Sequence, residues 1–312
     1  MGSIASIASK KVCSGVDNTL NTGKKGCLSL FGTPAHLLAW AKDSVIPAAT
    51  EINDAYLRPL IQKGTVVPLI GATAFEPLSA EDSYSTNVKG IKRLNLKGLP
   101  EYKLTFEEGH EFYREISKME SYKTYDYWIG DTAGNWMVVK KSNGDFKAFE
   151  AGHTTPELTV RQVEGGDPES KSIAVQFLNR IEWDRQYQIL HAEELDFTPN
   201  EIPLVNGVEL SMDAIPSNGD TTIDVTVVLA SDKNTGVEGL AVADFALTYN
   251  GATQVISNVV DNSNGNYTLT VPAVTAAQTI ALSTWHGGTN TKVADSNGVL
   301  YRSNEDASEV AA

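Results

Sequence analysis

Cysteine is scarce in this sequence, and its scarcity limits the chemistry that the chain can perform. Only Cys13 and Cys27 are present among 312 residues, and the five histidines are scattered singly. Two cysteines without neighbouring histidines fall short of a zinc site. No secretion signal accompanies them, so we expect two free thiols in a reducing compartment rather than a disulfide. The sequence therefore predicts no metal and no cofactor.

Long apolar runs and an excess of positive charge are also absent. No run approaches the length of a membrane span, so no membrane partner is expected. With 25 basic and 39 acidic residues, the net charge is −14. This balance argues against a basic surface that binds nucleic acid, because affinity for phosphates comes from clustered Lys and Arg. It does not argue against DNA that slides past the protein without sticking.

The motifs of the common enzyme classes are missing. The chain has no phosphate-binding loop, no Gly-x-Ser-x-Gly elbow and no His-Glu-x-x-His helix. His110 stands beside Glu108 and Glu111, but carboxylates at the start of a surface helix explain this group more simply than acid/base catalysis. Two other acidic pairs are interpreted as solvated strand ends rather than a glycosidase site: Glu182 with Asp184, and Glu193 with Glu194. No enzyme is predicted.

Residues 101–131 carry the clearest structural pattern of the chain. Apolar residues recur at every second position over 102–106, which predicts a half-buried strand. Over 112–119 the apolar spacing changes to four and three, which places those residues on one face of a helix. Over 125–129 the period returns to two. The pattern predicts a single helix inserted between two strands.

Strand patterns continue after this helix. Asn143 and Gly144 form the strongest hairpin signal, because both central residues of a type I′ turn need positive φ. The predicted strands are Trp136–Lys140, Phe146–Phe149, Leu158–Val163, Ser172–Leu178 and Tyr187–His191. The first 200 residues are therefore expected to be mainly antiparallel β with one principal helix.

The N-terminal region has weaker signals. Residues 1–25 are rich in small and polar residues and predict an extended arm or a weak first strand. A short strand is expected at Cys27–Phe31. Thr33 and Pro34 suit the first positions of a helix, which would carry the following apolar residues Leu37, Leu38 and Trp40.

Residues 43–87 form a long, apolar connection in which proline recurs every nine to twelve positions. Such spacing is too close for long helices and poorly suited to central strands. An apolar connection of this length needs a surface to bury against, which is either its own domain or another subunit. Beyond it, apolar residues over 91–99 are mixed with basic ones and predict a strand with one basic face.

Composition changes near residue 200. Residues 201–312 carry 3 basic and 13 acidic residues, which indicates a domain boundary. Short predicted strands follow at regular spacing, separated by Asn-Gly turns at Asn218, Asn250, Asn264 and Asn297. These strands are Thr222–Leu229, Phe245–Tyr249, Thr253–Val260, Tyr267–Val271 and Thr279–Trp285. The runs Gly236–Gly239 and Asn264–Val271 resemble bacterial and phage immunoglobulin-like domains.

The first 200 residues resemble the tail tube proteins of long-tailed bacteriophages. The resemblance lies in the strand and helix of Leu104–Lys118, the strand Tyr125–Asp131 and the hairpin from Gly152 through Ser172–Phe177, and it covers residues 20–195. The expected fold class is mainly β, with an antiparallel β-barrel or sandwich tube domain that has one principal helix, followed by an immunoglobulin-like β-sandwich. The expected domains are an arm (1–25), a tube-like domain (26–200) with a long loop (43–87), a linker (201–218), an immunoglobulin-like domain (219–302) and a flexible tail (303–312).

The resemblance implies a structural virion protein, assembled in the host cytoplasm and located in the phage tail. Subunits would form hexameric rings that stack into a tube and contact other tail proteins, while DNA passes through the lumen. The immunoglobulin-like domain would project outward, with cell-surface glycans as a further partner. The expected subunit-interface residues are Lys10, Lys11, Ile46, Ile52, Tyr56, Leu57, Leu60, Ile61, Val66, Val67, Lys89, Lys92, Arg93 and Lys97.

Three other interpretations stay open. A capsid or capsid-decoration protein would form shells instead of tubes. A carbohydrate-binding surface module would be a monomer whose tryptophans stack on sugar rings, Trp136 and Trp285 foremost; burial of Trp128, Trp136, Trp183 and Trp285 in the sheets is the simpler expectation. A hydrolase would depend on Glu108 or Glu111.

Overall fold

The computed structural model describes residues 3–9, 31–122, 125–159, 170–284, 294–296, 298–304 and 306–309. The protein is mainly β, as predicted, with curled antiparallel sheets and an immunoglobulin-like sandwich. It divides into two compact units, one of Met1–Leu57 with Thr65–Ile202 and the other of Arg58–Gly64 with Pro203–Ala312. None of the described helices is long and apolar enough to span a membrane.

The chain up to residue 202 contains three α-helices, three shorter helical segments (Glu182–Gln186, Ala192–Glu194 and Pro199–Glu201) and fourteen strands among its described residues. The helices are α1 (Ile4–Ser9), α2 (Asp54–Gln62) and α3 (His110–Ser117). The strands are β1 (Pro34–Ala41), β2 (Val45–Ile46), β3 (Val66–Leu69), β4 (Ala74–Pro77), β5 (Ser83–Thr86), β6 (Lys92–Leu96), β7 (Glu101–Phe106), β8 (Ser121–Tyr122), β9 (Tyr125–Asp131), β10 (Trp136–Lys140), β11 (Phe146–Lys147), β12 (Ala151–Thr159), β13 (Ser170–Phe177) and β14 (Tyr187–Leu190).

These strands form two main sheets and one separate pair. The first sheet has the order β2-β11-β10-β9-β1-β3, with β14 also paired to β10. The second has the order β4-β7-β13-β12-β8. Strands β5 and β6 pair only with each other. All pairings in this unit are antiparallel. The predicted order of strand, helix, strand and hairpins is confirmed for β7 to β13.

The main core of this unit is built from the facing sides of the two sheets. Leu37 and Ile129 of the first sheet join Leu104 and Ile173 of the second in one buried cluster. Helix α3 contributes Ile116 to the same cluster. The three-residue apolar face predicted for this helix therefore covers part of the core, and the helix ends close to its predicted end.

The other side of the first sheet is buried as well. Its alternate positions carry Leu38, Trp40, Trp128 and Trp136, all close to fully buried. The rings of Trp40 and Trp128 lie 4.9 Å apart in a tilted arrangement. A sheet buried on both faces reads as a continuous apolar run rather than an alternation. This explains why the apolar run at Leu37–Trp40 was wrongly predicted as a helix: it is the central strand β1, paired with β3 and β9.

Three prolines of the first unit occupy positions that the backbone tolerates. Pro34 is the first residue of β1, while Pro68 and Pro77 lie in β3 and β4, which are edge strands. An edge strand can lack a backbone donor on its outer side. Pro59 lies inside α2, a nine-residue helix that the sequence analysis missed because its proline spacing disfavoured helices. The expectation of one principal helix is therefore wrong for this segment.

The hairpin at residues 136–147 is confirmed, but its turn differs from the predicted type. The amide of Gly144 donates to the carbonyl of Lys141 at 3.0 Å, and the Lys141 amide donates to Asp145 at 2.8 Å. Gly144 has φ of 94°, while Asn143 is not among the residues with positive φ. This is a three-residue loop with glycine in the left-handed region rather than a type I′ turn.

The second unit is the immunoglobulin-like β-sandwich. Its strands are β15 (Val205–Met212), β16 (Thr222–Leu229), β17 (Ala246–Tyr249), β18 (Ala252–Gln254), β19 (Asn258–Asp261), β20 (Asn266–Thr270), β21 (Thr279–Ser283), β22 (Ala294–Ser296), β23 (Val299–Ser303) and β24 (Asp306–Glu309). They form one sheet of order β19-β20-β16-β15-β23-β22 and another of order β18-β17-β21-β24. The pairing of β15 with β23 is parallel.

Several boundaries in this unit differ from the prediction. The predicted linker 201–218 contains β15, which lies inside the larger sheet, and the predicted flexible tail contains β24. The single strand predicted at Thr253–Val260 is two strands that belong to different sheets. Asn250 and Gly251 both have positive φ, as an Asn-Gly hairpin turn requires. The turn at Asn297 lies outside the described residues.

The buried side chain of Tyr267 forms hydrogen bonds with the connection before β17. The hydroxyl of Tyr267 donates to the carbonyl of Val237 at 2.6 Å and accepts from the amide of Leu240 at 3.2 Å. Burial raises the pKa of Tyr267 to about 12, so the hydroxyl stays a donor at neutral pH. Two backbone groups of the connection before β17 are satisfied in this way.

Candidate functional site

Buried polar groups are the first candidates for a catalytic site, because catalytic side chains often have perturbed, partly desolvated surroundings. Among the residues that the structure describes, no group of three or more His, Cys, Asp or Glu side chains could hold a metal ion. Asp131 is fully buried and accepts hydrogen bonds from the amides of Gly32, Ala133 and Asn135 at 2.7 to 2.9 Å. These bonds fix the loop after β9, so the role of Asp131 is structural.

Glu182 is another buried carboxylate, so its prediction as part of a solvated strand end is wrong. Its side chain is 1% exposed and forms an ion pair with Lys147. It also accepts from the backbone amide of Glu150 at 2.9 Å and from the side-chain amide of Asn179 at 3.2 Å. A buried charge needs such compensation. Glu182 therefore holds three segments together.

The tryptophans proposed to stack on sugars are mostly inaccessible. Trp128 and Trp136 are buried in the first sheet. Trp183 packs against Phe149, with ring centroids 4.5 Å apart, and against Phe177 at 5.0 Å. These three rings belong to the packing of the fold. Trp285 lies outside the described residues.

The apolar residues predicted to contact another subunit are largely buried within the chain itself. Five of them are 1% to 3% exposed: Ile46, Ile52, Leu57, Ile61 and Val66. Tyr56, Leu60 and Val67 are half-buried. The pairing of β2 with β11 and of β3 with β1 explains the burial of Ile46 and Val66, because both strands join the first sheet. Leu57 and Ile61 lie on helix α2. The five buried residues are a correction to the predicted interface, since they present no free surface.

The predicted basic residues have a different placement. Lys89 and Lys92 are exposed on the pair formed by β5 and β6, which we call the hairpin (residues 79–98). Arg93 lies at a β6 position that pairs with Ser85, and Lys97 follows the strand. Lys10 and Lys11 lie outside the described residues. The structure therefore brings four of the six predicted basic residues to one element.

The hairpin exposes apolar side chains along its length. Tyr84, Ile91 and Leu94 are 56%, 56% and 45% exposed, and Val88 is fully exposed at the tip. Tyr84 and Leu94 are directly opposite in the register, which puts both on one face. Lys92 shares that face by strand alternation. The hairpin face that was predicted to be basic is therefore an apolar face that carries one lysine, Lys92.

A network of hydrogen bonds orders the hairpin tip. The side-chain oxygen of Asn87 accepts from the amides of Lys89 and Ile91, each at 3.0 Å. The amide of Gly90 donates to the carbonyl of Asn87 at 2.9 Å, and Gly90 has φ of 74°. The tip therefore holds Val88, Lys89 and Ile91 in a fixed turn.

The hairpin base is anchored to the body of the unit. The ammonium of Lys97 lies 2.9 Å from a carboxylate oxygen of Asp184, and this hydrogen bond holds the pKa of Asp184 below its ordinary value. The amide of Gly98 donates to Asp82 at 2.9 Å, and its carbonyl accepts from Arg180 at 3.3 Å. A Cβ at Gly98 would lie 1.7 Å from the carbonyl oxygen of Ala80, so only glycine fits there.

An acidic cavity of 220 Å³ lies elsewhere on the first unit. Its apolar lining comes from Ile7, Ile52 and Leu195. Its polar lining consists of Glu51, Asn53, Glu193, Glu194 and Asp196. Sequence reasoning found Glu193 and Glu194 but missed the cavity, because its lining comes from three segments that only the fold brings together.

Comparisons with known proteins give little further information. No family model matches the chain, and no curated protein matches it. Among solved structures, the chain is similar to the Escherichia coli adhesin FdeC, with 13% sequence identity and a TM-score of 0.21. That similarity covers 91% of this chain and 94% of the adhesin chain. A likeness of this size carries no argument about function.

Proposed function

We propose that the protein is a structural subunit of a phage tail tube, which assembles with copies of itself through the first unit. The observation that carries this proposal is the hairpin, a rigidly anchored pair of strands that exposes apolar side chains to solvent. The resemblance of residues 20–195 to tail tube proteins supplies the kind of assembly, namely hexameric rings that stack into a conduit for DNA.

Apolar side chains of the hairpin are exposed to water, and covering them with a partner would stabilise an assembly. Fully burying one Val, Leu or Ile side chain stabilises an assembly by about 1.5 to 3 kcal/mol. Val88, Ile91 and Leu94 together therefore offer several kcal/mol to any partner that covers them. An isolated two-stranded hairpin is at best marginally stable in water. The hairpin base is held to the body of the unit by Lys97, which pairs with Asp184, and by the Gly98 carbonyl, which accepts from Arg180. This attachment favours a contact role over a solvent loop.

A partly open sheet edge also supports association between copies. Strand β12 pairs with β13 over residues 151–159. On its other side, among the described residues, only β8 pairs with it, at His153 and Thr154. The remaining part of that edge offers backbone donors and acceptors to another strand. A closed ring of subunits removes such edges.

The charge of the chain suits a conduit better than a nucleic-acid binder. The net charge is −14, so DNA is repelled rather than held. In this proposal the protein is a virion component rather than an enzyme, and its partners are other copies, further tail proteins and DNA in passage. The immunoglobulin-like unit projects outward, where cell-surface glycans are the partner to examine.

The experiment is electron microscopy and sedimentation velocity of the full chain at increasing concentration. We expect stacked rings or hollow tubes. The variant Val88→Ser/Ile91→Ser removes apolar surface at the hairpin tip and is expected to abolish assembly. The matched control Val255→Ser/Val260→Ser makes the same kind of change at exposed residues of the second unit. It should assemble as the unaltered protein does.

Each outcome has a clear meaning. Tubes from the unaltered chain and the control, but not from the hairpin variant, support the proposal. Shell fragments would replace it with the capsid interpretation. Monomers at every concentration would contradict self-assembly and favour a surface-binding module.

A further inference from the structure

We infer that the hairpin tip of one copy inserts into the acidic cavity of a second copy of this chain. The inference rests on the proposed self-assembly and names the two surfaces that meet. The hairpin supplies a basic and apolar tip, while the cavity supplies carboxylates around an apolar lining. Both surfaces belong to the first unit of the protein.

The tip has the chemistry of an inserting group. Residues 83–100 contain four basic residues and no acidic residue, in a chain whose net charge is −14. At the tip, Lys89 and Lys92 flank the apolar side chains of Val88 and Ile91. Neither lysine forms an ion pair among the residues that the structure describes. The Asn87 hydrogen bonds hold this group in one conformation before contact, which lowers the entropy that docking costs.

The cavity has the complementary chemistry. Ile7 and Ile52 are buried in its lining, so an apolar group that enters it meets apolar surface. Glu51 and Asp196 are exposed, and Glu193 and Glu194 lie in the same lining. The exposed carboxylates of Glu51 and Asp196 in one small cavity attract a pair of lysines and repel another acidic surface. A volume of 220 Å³ is about that of seven water molecules, enough for a side chain or two but not for a folded element.

The tip side chains that enter the cavity come from the hairpin of another copy. The cavity is lined by residues 7, 51–53 and 193–196, and no residue of the chain's own hairpin belongs to that lining. That hairpin is held at its base by Lys97 and Gly98. With strands of four to five residues, it extends roughly 15 to 20 Å from this base. Within an assembly of identical copies, every hairpin then has a cavity to enter and every cavity receives a hairpin.

The test is a charge exchange between the two surfaces. The tip variant is Lys89→Glu/Lys92→Glu, and the cavity variant is Glu51→Lys/Asp196→Lys. In each of these two variants, residues of like charge face each other across the contact. We therefore expect the protein concentration at which half of the chains are assembled to rise by about tenfold or more. The chain with all four substitutions keeps the original net charge and restores opposite charges. We expect it to assemble as the unaltered protein does, and an equal mixture of the two single-surface variants should also assemble.

Matched controls separate this contact from general charge effects. Lys63→Glu/Lys140→Glu and Glu107→Lys/Glu108→Lys change exposed residues away from both surfaces, and neither should alter assembly. In assembled protein made from equal parts of nitrogen-15-labelled and unlabelled chains, a zero-length carbodiimide cross-link is expected between Lys89 or Lys92 and Glu51 or Asp196. The linked peptides must join labelled to unlabelled chains.

The failures are distinguishable. If the unaltered protein never assembles, the proposed function and this inference both fall. If it assembles but the cavity variant assembles equally well, or the four-substitution chain does not recover, only the inference falls. Circular dichroism and the urea midpoint of each variant show whether the chain is folded. A variant that fails to fold leaves the cross-link between chains as the deciding result, and its absence overturns the inference.

Discussion

The proline-rich segment (residues 43–70) and the hairpin (residues 79–98) lie close together in the chain and both carry large apolar side chains, yet these side chains end in opposite environments. In the segment, Ile46, Leu57 and Leu69 are almost fully buried. In the hairpin, Tyr84, Val88 and Leu94 are exposed. For the strand residues, the difference in exposure comes from strand pairing. Strands β2 and β3 of the segment join the first sheet, while β5 and β6 of the hairpin pair only with each other.

This comparison shows that apolar composition does not by itself mark an interface. An apolar residue on a strand that joins a larger sheet is used for folding, and the same residue on a separate hairpin is left for a partner. The buried segment is therefore expected to govern the stability of the isolated chain, and the hairpin its association. The following predictions test that division.

The largest expected difference is between two leucine truncations. Leu69→Ala creates a cavity in the core and should lower the free energy of unfolding by about 2 to 5 kcal/mol. Leu94→Ala, in the hairpin, should change it by less than about 0.5 kcal/mol. Urea unfolding of dilute, unassembled protein measures both. Equal losses for the two variants would show that the hairpin is part of the folding core.

A smaller effect is expected at the hairpin base. Gly98→Ala forces a methyl group against the carbonyl oxygen of Ala80 and should cost about 1 to 3 kcal/mol. The hydrogen bonds of Gly98 to Asp82 and Arg180 should be lost with it, so trypsin should cleave faster after Lys89 and Lys92. Gly109→Ala is the control, because no atom lies within 4 Å of its added Cβ. Unchanged cleavage in Gly98→Ala would mean that the base is not fixed by this contact.

At the hairpin tip the expected effect is local. Asn87→Ala removes the acceptor for two backbone amides, and each hydrogen bond is worth about 0.5 to 1.5 kcal/mol. Hydrogen exchange at the amides of Lys89 and Ile91 should accelerate, while the urea midpoint stays the same. Thr86→Ala is the neighbouring control. Protection that persists in Asn87→Ala would contradict an ordered tip held by this side chain.

The smallest predicted effect concerns the junction between the two regions. His36 accepts a hydrogen bond from the amide of Gly71 at 3.0 Å, just after the buried segment ends. Burial lowers the pKa of His36, and the negative charge of Asp131 partly opposes this shift. The unfolded chain then binds a proton more readily than the folded one. Stability is therefore full above the unfolded pKa of about 6.5 and declines as pH falls below it.

The measurement is urea unfolding at pH 7.5 and pH 5.5. The loss of stability between these values should be smaller in His36→Asn, which keeps an acceptor but does not titrate. An identical loss in both proteins would assign the pH dependence to other groups.

Much of the fold could be predicted from periodicity. Strand β7 and helix α3 follow their apolar spacing closely, because each has one buried face. Strand β9 is buried on both faces, but Asp126 and Gly130 between its apolar residues preserve an alternation that predicts a strand. Strand β1 could not be predicted in this way, since burial of both faces removes the alternation that distinguishes a strand from a helix. Helix α2 was missed because Pro59 lies within it, and β15 because nothing in a polar stretch indicates a parallel partner so distant in sequence.

The candidate site was predictable only in part. The basic residues of the hairpin are visible in the sequence, and four of them lie where an exposed surface is found. Whether Ile46 or Leu94 is exposed depends on sheet pairing, which the sequence does not display. The acidic cavity combines α1, the start of α2 and the segment after β14, so its carboxylates become neighbours only in the folded chain.

The most direct test of the account is sedimentation velocity of the unaltered chain and of Val88→Ser/Ile91→Ser over the same concentration series. We expect the unaltered chain to form large assemblies, while the variant stays monomeric with an unchanged urea midpoint. Identical sedimentation of the two proteins at every concentration would contradict the claim that the hairpin is the contact between copies.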